Sequence, residues 1–346
     1  MDFSRLLPGP LATALLQQMG ARIVRVEHPD RSDLARMQPP FVAGQSTLFA
    51  SLNAGKETMS LDYTSAAGKG KVYELVKEAD VVIEQFRPGV MASWELGYEH
   101  LKDHKPDLVY ASLTGYGQEG ELALQAGHDI NYLALAGVLD LNRDERGRPV
   151  VPGIQIADIG GGSYMLAMAV VSALLQRERT GRGSYLDVSM LDGLLPMMTI
   201  PFSQHQGGLD VRSANFLNGG LVNYQVYETA DGRWMALGAL EPKFWNAFCQ
   251  LAGRPDWERS SPVECSVHVF PKEEVDAFFK GRTQAEWIRW AEGHDICLTP
   301  VRSTGEVLAD PDFLRKQSLQ GIPLSETDKL LISQLAFSKS EGGHER

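Results

Sequence analysis

His128 and Asp158 stand thirty residues apart, each where a side chain of its type could move protons. His128 opens "HDINYLALAGVL", in which Asp129, Asn131 and Tyr132 crowd polar groups against an apolar run. A lone histidine there reads as a cap or a surface residue, and its polar company raises it to a candidate base. Asp158 opens "DIGGGSYMLAMAVVSALLQRERTG" and reads as the N-cap of a long apolar helix stopped at Gly181. Gly160, Gly161 and Gly162 complicate that reading, because each weakens the first turn by roughly 1 kcal/mol relative to alanine. Such a cost makes sense where a ligand approaches the backbone, and free amides at that helix start could hold a developing oxyanion. Asp158 is therefore placed among the functional residues. Glu241, before Pro242, complements a helix dipole and by itself needs no further role.

Arg5, Arg25, Lys56 and Arg87 each lie beside an expected strand end or glycine-rich turn. Singly they are solvated charges; if their loops converge at one sheet edge, they could neutralise phosphates. "GYGQEG", residues 115 to 120, matches the dinucleotide pattern GxGxxG but comes after several strands and opens no clear helix. Gly115, Tyr116 and Gly117 then read as a glycine-rich loop at a strand end, where α/β sheets place their ligands. A nicotinamide-dependent oxidoreductase would rest on that hexapeptide alone.

The elements that must position these residues alternate. A helix from Pro8 to Gly20 is succeeded by the strand pattern "ARIVRVE", then "ETMSLDY" as a strand, "SAAGKGKVYELVKEA" as a helix and "DVVIEQF" as a strand. Residues 90 to 104 are expected to be helical, and "DLVYASLTG" and "SYLDVSML" are further strands. The alternation predicts a doubly wound α/β domain with a parallel sheet. From about Asn223 the grammar changes to two strands turned at Asp231-Gly232 and a helix in "EPKFWNAFCQLAG", the pattern of a smaller α+β domain. The expected boundaries are a large domain at 1–195, a linker at 196–222, the small domain at 223–302 and a return segment at 303–346.

A chain of 346 residues, 43% of them hydrophobic, can bury a large core. Its net charge of −11 argues against nucleic acid and anionic lipid as partners, so any anionic ligand must meet a local basic pocket. Cys249, Cys265 and Cys297 form neither a disulfide framework nor a zinc pattern, which fits a reducing cytoplasm. The apolar stretch from Met165 to Leu175 is too short to span a bilayer, and residues 1–4 do not open a signal peptide. The expectation is a soluble cytoplasmic protein.

"RLLPGP", "EQFRPGV", "LTGYGQ", "AGHDINYLALAGVL", "ADIGGGS" and "TGRGSYLDVSMLDG" together resemble, in order and spacing, the class III CoA-transferase (CaiB/BaiF) superfamily, and within it the α-methylacyl-CoA racemases. The resemblance covers residues 2 to about 305. It implies a large Rossmann-like domain and a smaller domain joined by linkers, an interlocked homodimer, and an acyl-CoA substrate lying along the large domain. Arg5, Arg25, Lys56, Arg87 and the Gly115-Tyr116-Gly117 loop become the expected coenzyme A contacts. Asp158 matches the aspartate that transferases use as a nucleophile and racemases as a base. His128 matches the racemase histidine, Glu241 the glutamate that orients it, and Tyr132 a tyrosine near the thioester. Leu7-Pro8 replaces the glutamine of formyl-CoA transferases, and no run of four glycines occurs, which also favours the racemases.

The implied activity is inversion of the α-carbon of 2-methyl-branched acyl-CoA by two-base proton transfer through an enolate, with no metal or redox cofactor. Partial burial would have to raise the proton affinity of Asp158 for that exchange. A CoA transferase with Asp158 as acyl acceptor and a CoA-binding protein without turnover remain as alternatives. Relatives usually begin several residues earlier and continue past "SKSEGGHER" into a terminal helix. His28 stands where some carry an arginine near the nucleotide.

Overall fold

The computed structural model describes residues 1–144, 146–211, 216–316 and 318–334. Strand β1 (Val24–Glu27) pairs in parallel with β2 (Glu57–Ser60). Strands β3 (Val81–Glu84), β4 (Val109–Thr114) and β5 (Ser184–Ser189) form a second parallel set. The first residues of the chain join the two: Asp2 bridges both Arg25 and Ile83, with its amide on the Val24 carbonyl at 2.8 Å and the Phe3 amide on Ile83 at 2.8 Å. The parallel order is β2, β1, the N-terminal segment, β3, β4, β5.

Side chains that alternate along these strands feed two cores. Ile83, Ala111 and Leu113 pack with Leu15 and Leu16 of helix α1 (Pro8–Gln18) and with Leu166 and Val170. Val82 and Tyr110 face the other way, onto Val72 and Val76 of α2 (Ala66–Val76). The chain is thus a mixed α/β protein whose parallel sheet is covered on both faces.

Two expectations about helices need correction. Residues 90 to 104 are not one helix but two short ones, Val90–Ser93 and Tyr98–Leu101. Glu95, at φ 60°, turns the chain between them. Asp158 is not an N-cap either. The helix cap is Ile156, and Ala157–Tyr164 is a π-helical stretch that runs directly into α4 (Met165–Thr180), with α3 (Asp129–Leu135) preceding it in the chain.

The glycines of the π-turn answer to packing. A Cβ on Gly161 would fall on the Met190 carbonyl oxygen, one on Gly160 on the Met197 methyl, and one on Gly162 would lie 3.0 Å from Met190 Cγ. Their missing side chains let this turn close against residues 190–198, so tight packing, on backbone at Gly161 and on methionine side chains at Gly160 and Gly162, accounts for them without a ligand. With the π-turn included the helix spans 24 residues, Ala157–Thr180, long and apolar enough by length and composition to cross a membrane. The expected apolar stretch, Met165 to Leu175, is only part of it. Leu166, Ala167, Val170 and Ala173 of this helix are buried in the same core as Leu15 and Leu16.

By contacts the chain divides into two compact units. The first comprises Met1–Leu139, Val150–Met198 and the described residues from Asp310 onward. Its last part is an antiparallel pair, Leu319–Pro323 with Lys329–Ser333. The end of the return segment, residues 335–346, lies outside the described residues. The second unit comprises Asp140–Pro149 and Thr199–Ala309, so it begins before the expected 223 and takes an excursion expected in the large domain.

In the second unit, β6 (Tyr224–Glu228), β7 (Trp234–Gly238) and β8 (Leu298–Pro300) form an antiparallel sheet in the order β8, β7, β6. Helix α5 (Pro242–Leu251), α6 (Lys272–Phe279) and α7 (Gln284–Ala291) contribute Trp245, Phe248, Phe279 and Trp287 to its aromatic core.

Candidate active site

A cavity of about 470 Å³ opens beyond the carboxyl ends of the parallel strands. Its wall is built from the residues just past each strand: Leu6-Leu7-Pro8 after the N-terminal segment, Gln85-Phe86-Arg87 after β3, Gly115-Tyr116 after β4 and Met190 after β5. Open α/β sheets bind ligands at this edge because the loops there are free to vary while the strands fix their roots. His128, Tyr132 and Asp158 line the same cavity.

The loop that carries His128 is tightly tied. The His128 amide donates to Asn131 Oδ1 at 3.0 Å, and the Asn131 amide donates back to the His128 carbonyl at 2.8 Å, a reciprocal cap on α3. His128 is exposed. Tyr132 is buried and donates its hydroxyl to the Gly127 carbonyl at 2.8 Å, one residue before the histidine. Its ring meets Tyr116 edge to face, with centroids 5.1 Å apart. A Cβ on Gly115 or Gly127 would run into these two rings, so both glycines are needed for the tyrosines to pack. Burial, helped by the charge of Asp158, pushes the Tyr132 phenol up to about 12, so it is a hydrogen-bond donor at neutral pH.

Asp158 is half-buried, and burial first, then the neighbouring charge of Asp129, raises its carboxyl to about 6, against an opposing effect of His128. The amides at the helix start are not free. Asp129 Oδ1 accepts the Ala157 amide at 2.7 Å and the Asp158 amide at 3.0 Å, and the Ile159 amide donates to the Gln155 carbonyl at 3.0 Å. An oxyanion site made from these amides is therefore overturned. Asp129 is the residue whose importance sequence reasoning missed: a polar residue next to a candidate base, at the start of a helix, was the available signal.

The expected coenzyme A contacts divide sharply. Arg25 is buried, with Nη1 on Glu27 at 2.6 Å and Nη2 on Asp33 at 2.8 Å, and its charge is spent inside the sheet layer. Lys56 is also buried, donating to the Pro10 carbonyl at 2.7 Å and Thr13 Oγ1 at 2.8 Å, and desolvation lowers it to about 8. Both are structural, and neither can meet a phosphate. Arg87 is exposed on the cavity wall. Arg5 is half-buried, its guanidinium 5.4 Å from the Phe86 ring.

Arg31, absent from the sequence-based set, lies over Trp94 at 5.8 Å, and Trp94 packs edge to face on Phe86 at 5.1 Å. Its aromatic partner stands far along the chain, so no local pattern signals it. His28 is buried, with Nε2 3.0 Å from Asp62 Oδ1 and Nδ1 accepting the Asp30 amide at 3.1 Å. Gly117 takes φ 84° and donates its amide to Thr114 Oγ1 at 2.9 Å, shaping the loop rather than lining the cavity.

Glu241 belongs to the second unit, whereas His128, Tyr132 and Asp158 belong to the first. It is the N-cap residue of α5, exposed, and its carboxylate makes no capping bond. Among the described residues no three His, Cys, Asp or Glu side chains gather as metal ligands.

Comparison with known proteins adds an independent line. The family described as CoA-transferase family III matches residues 1–344. The human α-methylacyl-CoA racemase is 36% identical over 313 residues, which cover 89% of this chain and 78% of that protein. The human succinyl-CoA:glutarate CoA-transferase is 29% identical over 321 residues, covering 91% of this chain and 73% of that one. A crystal structure of a CAIB/BAIF family protein from Brucella suis superposes with a TM-score of 0.77 at 26% identity, covering 96% of this chain and 93% of that one.

Proposed function

Given that the chain belongs to CoA-transferase family III, we propose that it is an acyl-CoA racemase, inverting the α-carbon of 2-methyl-branched thioesters through His128 and Asp158. The observation that carries this reading is that both side chains line one cavity, with Asp158 raised to about 6. A carboxyl so raised can hold or release its proton close to neutral pH, so Asp158 can serve as acid or as base opposite His128.

One group removes the α-proton, the electron pair of the C–H bond moves into the thioester carbonyl to give an enolate, and the other group delivers a proton to the opposite face. Substrate of either hand starts from the side that holds the free base. Tyr132, through Gly127, fixes the backbone beside His128. Arg87, Arg5 and Arg31 are the cations available to the anionic end of the coenzyme, and the substrate's own CoA is the only cofactor this chemistry needs. Exposed Met168, Val171 and Leu175, spaced along one side of α4, support pairing with a second copy of the chain.

The test is exchange. Incubated in heavy water with 2-methylacyl-CoA, the protein should wash deuterium into the α-position. Incorporation no faster than that of a variant carrying both His128→Ala and Asp158→Ala would end the proposal. Similarity to a CoA-transferase over 91% of the chain favours one other reading, in which Asp158 attacks the thioester and expels CoA as a thiol. It predicts an acyl-enzyme cleaved by hydroxylamine and CoA transfer to a free acid.

A further inference from the structure

The two-base reading leaves Asp129 without a task, yet its carboxylate is heavily engaged. Oδ1 accepts the amides of Ala157 at 2.7 Å and Asp158 at 3.0 Å. These amides open the π-turn, and the first donors of any helix lack partners within it. Asp129 is also the first residue of α3, directly after His128, whose own amide is held by Asn131. A single side chain therefore clamps the loop that carries one proposed base to the turn that carries the other.

Its charge has a second effect. A standing carboxylate beside a half-buried one disfavours ionisation of the second. The charged or titratable groups acting on Asp158 are Asp129 and His128, and Tyr132 feels its charge in turn. The elements packed on the glycines of the turn bring the uncharged Pro8 from α1 and Met190 and Met197 from residues 190–198, and Asp192 of that stretch is not among the groups that act on Asp158.

We infer that Asp129 is a positioning residue, whose carboxylate ties the loop of His128 to the turn of Asp158, holds both at fixed places on the cavity wall and sets a carboxylate beside Asp158. The inference rests on the proposed function, in which Asp158 must be protonated for half of each turnover.

Asparagine separates the two effects, because its carbonyl oxygen can accept the same two amides without the charge; alanine removes both. The full chain labelled with ¹³C at aspartate Cγ is titrated by NMR, with Asp158→Asn assigning the resonance. The exchange rate of 2-methylacyl-CoA in heavy water is measured across pH in parallel.

For Asp129→Asn, Asp158 should titrate lower than in the parent, and the acidic limb of the rate profile should move to lower pH with it. The rate on its plateau should stay within about tenfold. Asp129→Ala should show the same displacement and lose on the order of a hundredfold in rate at every pH, through misplacement of both bases. If the alanine variant fails to fold, the asparagine variant carries the test alone. An Asp158 titration that does not move in folded Asp129→Asn overturns the inference. Should Asp158 move while the parent exchanges no thioester proton, the racemase reading fails and the action of Asp129 on Asp158 stands.

Discussion

At the scale of single residues, Asp158 shows what a proton-transfer site costs the fold. Its carboxyl titrates near 6 in the native state, above the ordinary 3.8, so the folded protein binds this proton more tightly than the unfolded chain does. Stability must then fall as pH rises from about 3.8 through 6, and stay at the lower level above that window. Asp158→Asn removes the penalty. It should abolish α-proton exchange yet raise stability above pH 6 by about 1–2 kcal/mol, less than a fully desolvated group would give because solvent reaches the cavity. Denaturant unfolding of parent and variant at pH 4 and pH 8 checks this: the difference should appear at pH 8 and shrink towards zero at pH 4. An equal difference at both values would show that the effect is not ionisation.

The opposite result holds for the tyrosines. Tyr132 is legible in the sequence as a residue near the candidate base and Tyr116 as part of a glycine-rich loop, but not the reason for Gly115 and Gly127, whose hydrogen atoms face the two rings. Side-chain chemistry can be read from one residue; a close approach needs both partners.

At the scale of elements, the strand and helix alternation is readable because period-2 burial and apolar helix faces leave strong local patterns. The helix start at Asp158 escapes such reading for a physical reason. An acidic residue before glycines and an apolar run satisfies the local rules for an N-cap, and the acceptor that actually serves these amides comes from Asp129, 28 and 29 residues away in sequence. The π-turn also needs the surface of residues 190–198, which no local window contains. Its glycines should therefore be unequal. Gly161 faces a backbone carbonyl, which cannot rotate away, whereas Gly160 faces the far end of the flexible Met197 side chain. Gly161→Ala should lose about 1–3 kcal/mol of stability, the range for forcing atoms into packed space, and Gly160→Ala clearly less. Thermal unfolding of the two variants ranks them, and equal losses would mean that propensity and not packing decides.

At the scale of the whole molecule, a chain of net charge −11 must attract a polyanionic thioester through a few placed cations. Four basic residues are legible as candidates from their position beside strand ends, and position alone cannot say which way each side chain points. Alternation along β1 turns Arg25 into the layer beneath the sheet, between Glu27 and Asp33, and Lys56 is drawn in beneath α1. Arg87 and Arg31 stay exposed, the one on the cavity wall and the other over Trp94.

Variants of these cations should therefore fall into two classes. Arg25→Met leaves Glu27 and Asp33 without their buried partner, and removal of one member of a buried pair typically costs about 3–5 kcal/mol, so it should lower the melting temperature or abolish folding. Arg87→Ala and Arg31→Ala should melt like the parent and raise KM for the full CoA thioester several-fold, more at low salt than at high salt. They should leave a truncated N-acetylcysteamine thioester, which has no phosphates, almost untouched. Equal effects on the full and truncated substrates would place these arginines away from the phosphates. An unchanged melting temperature in Arg25→Met, with a raised KM, would return that residue to the binding surface from which its burial removes it.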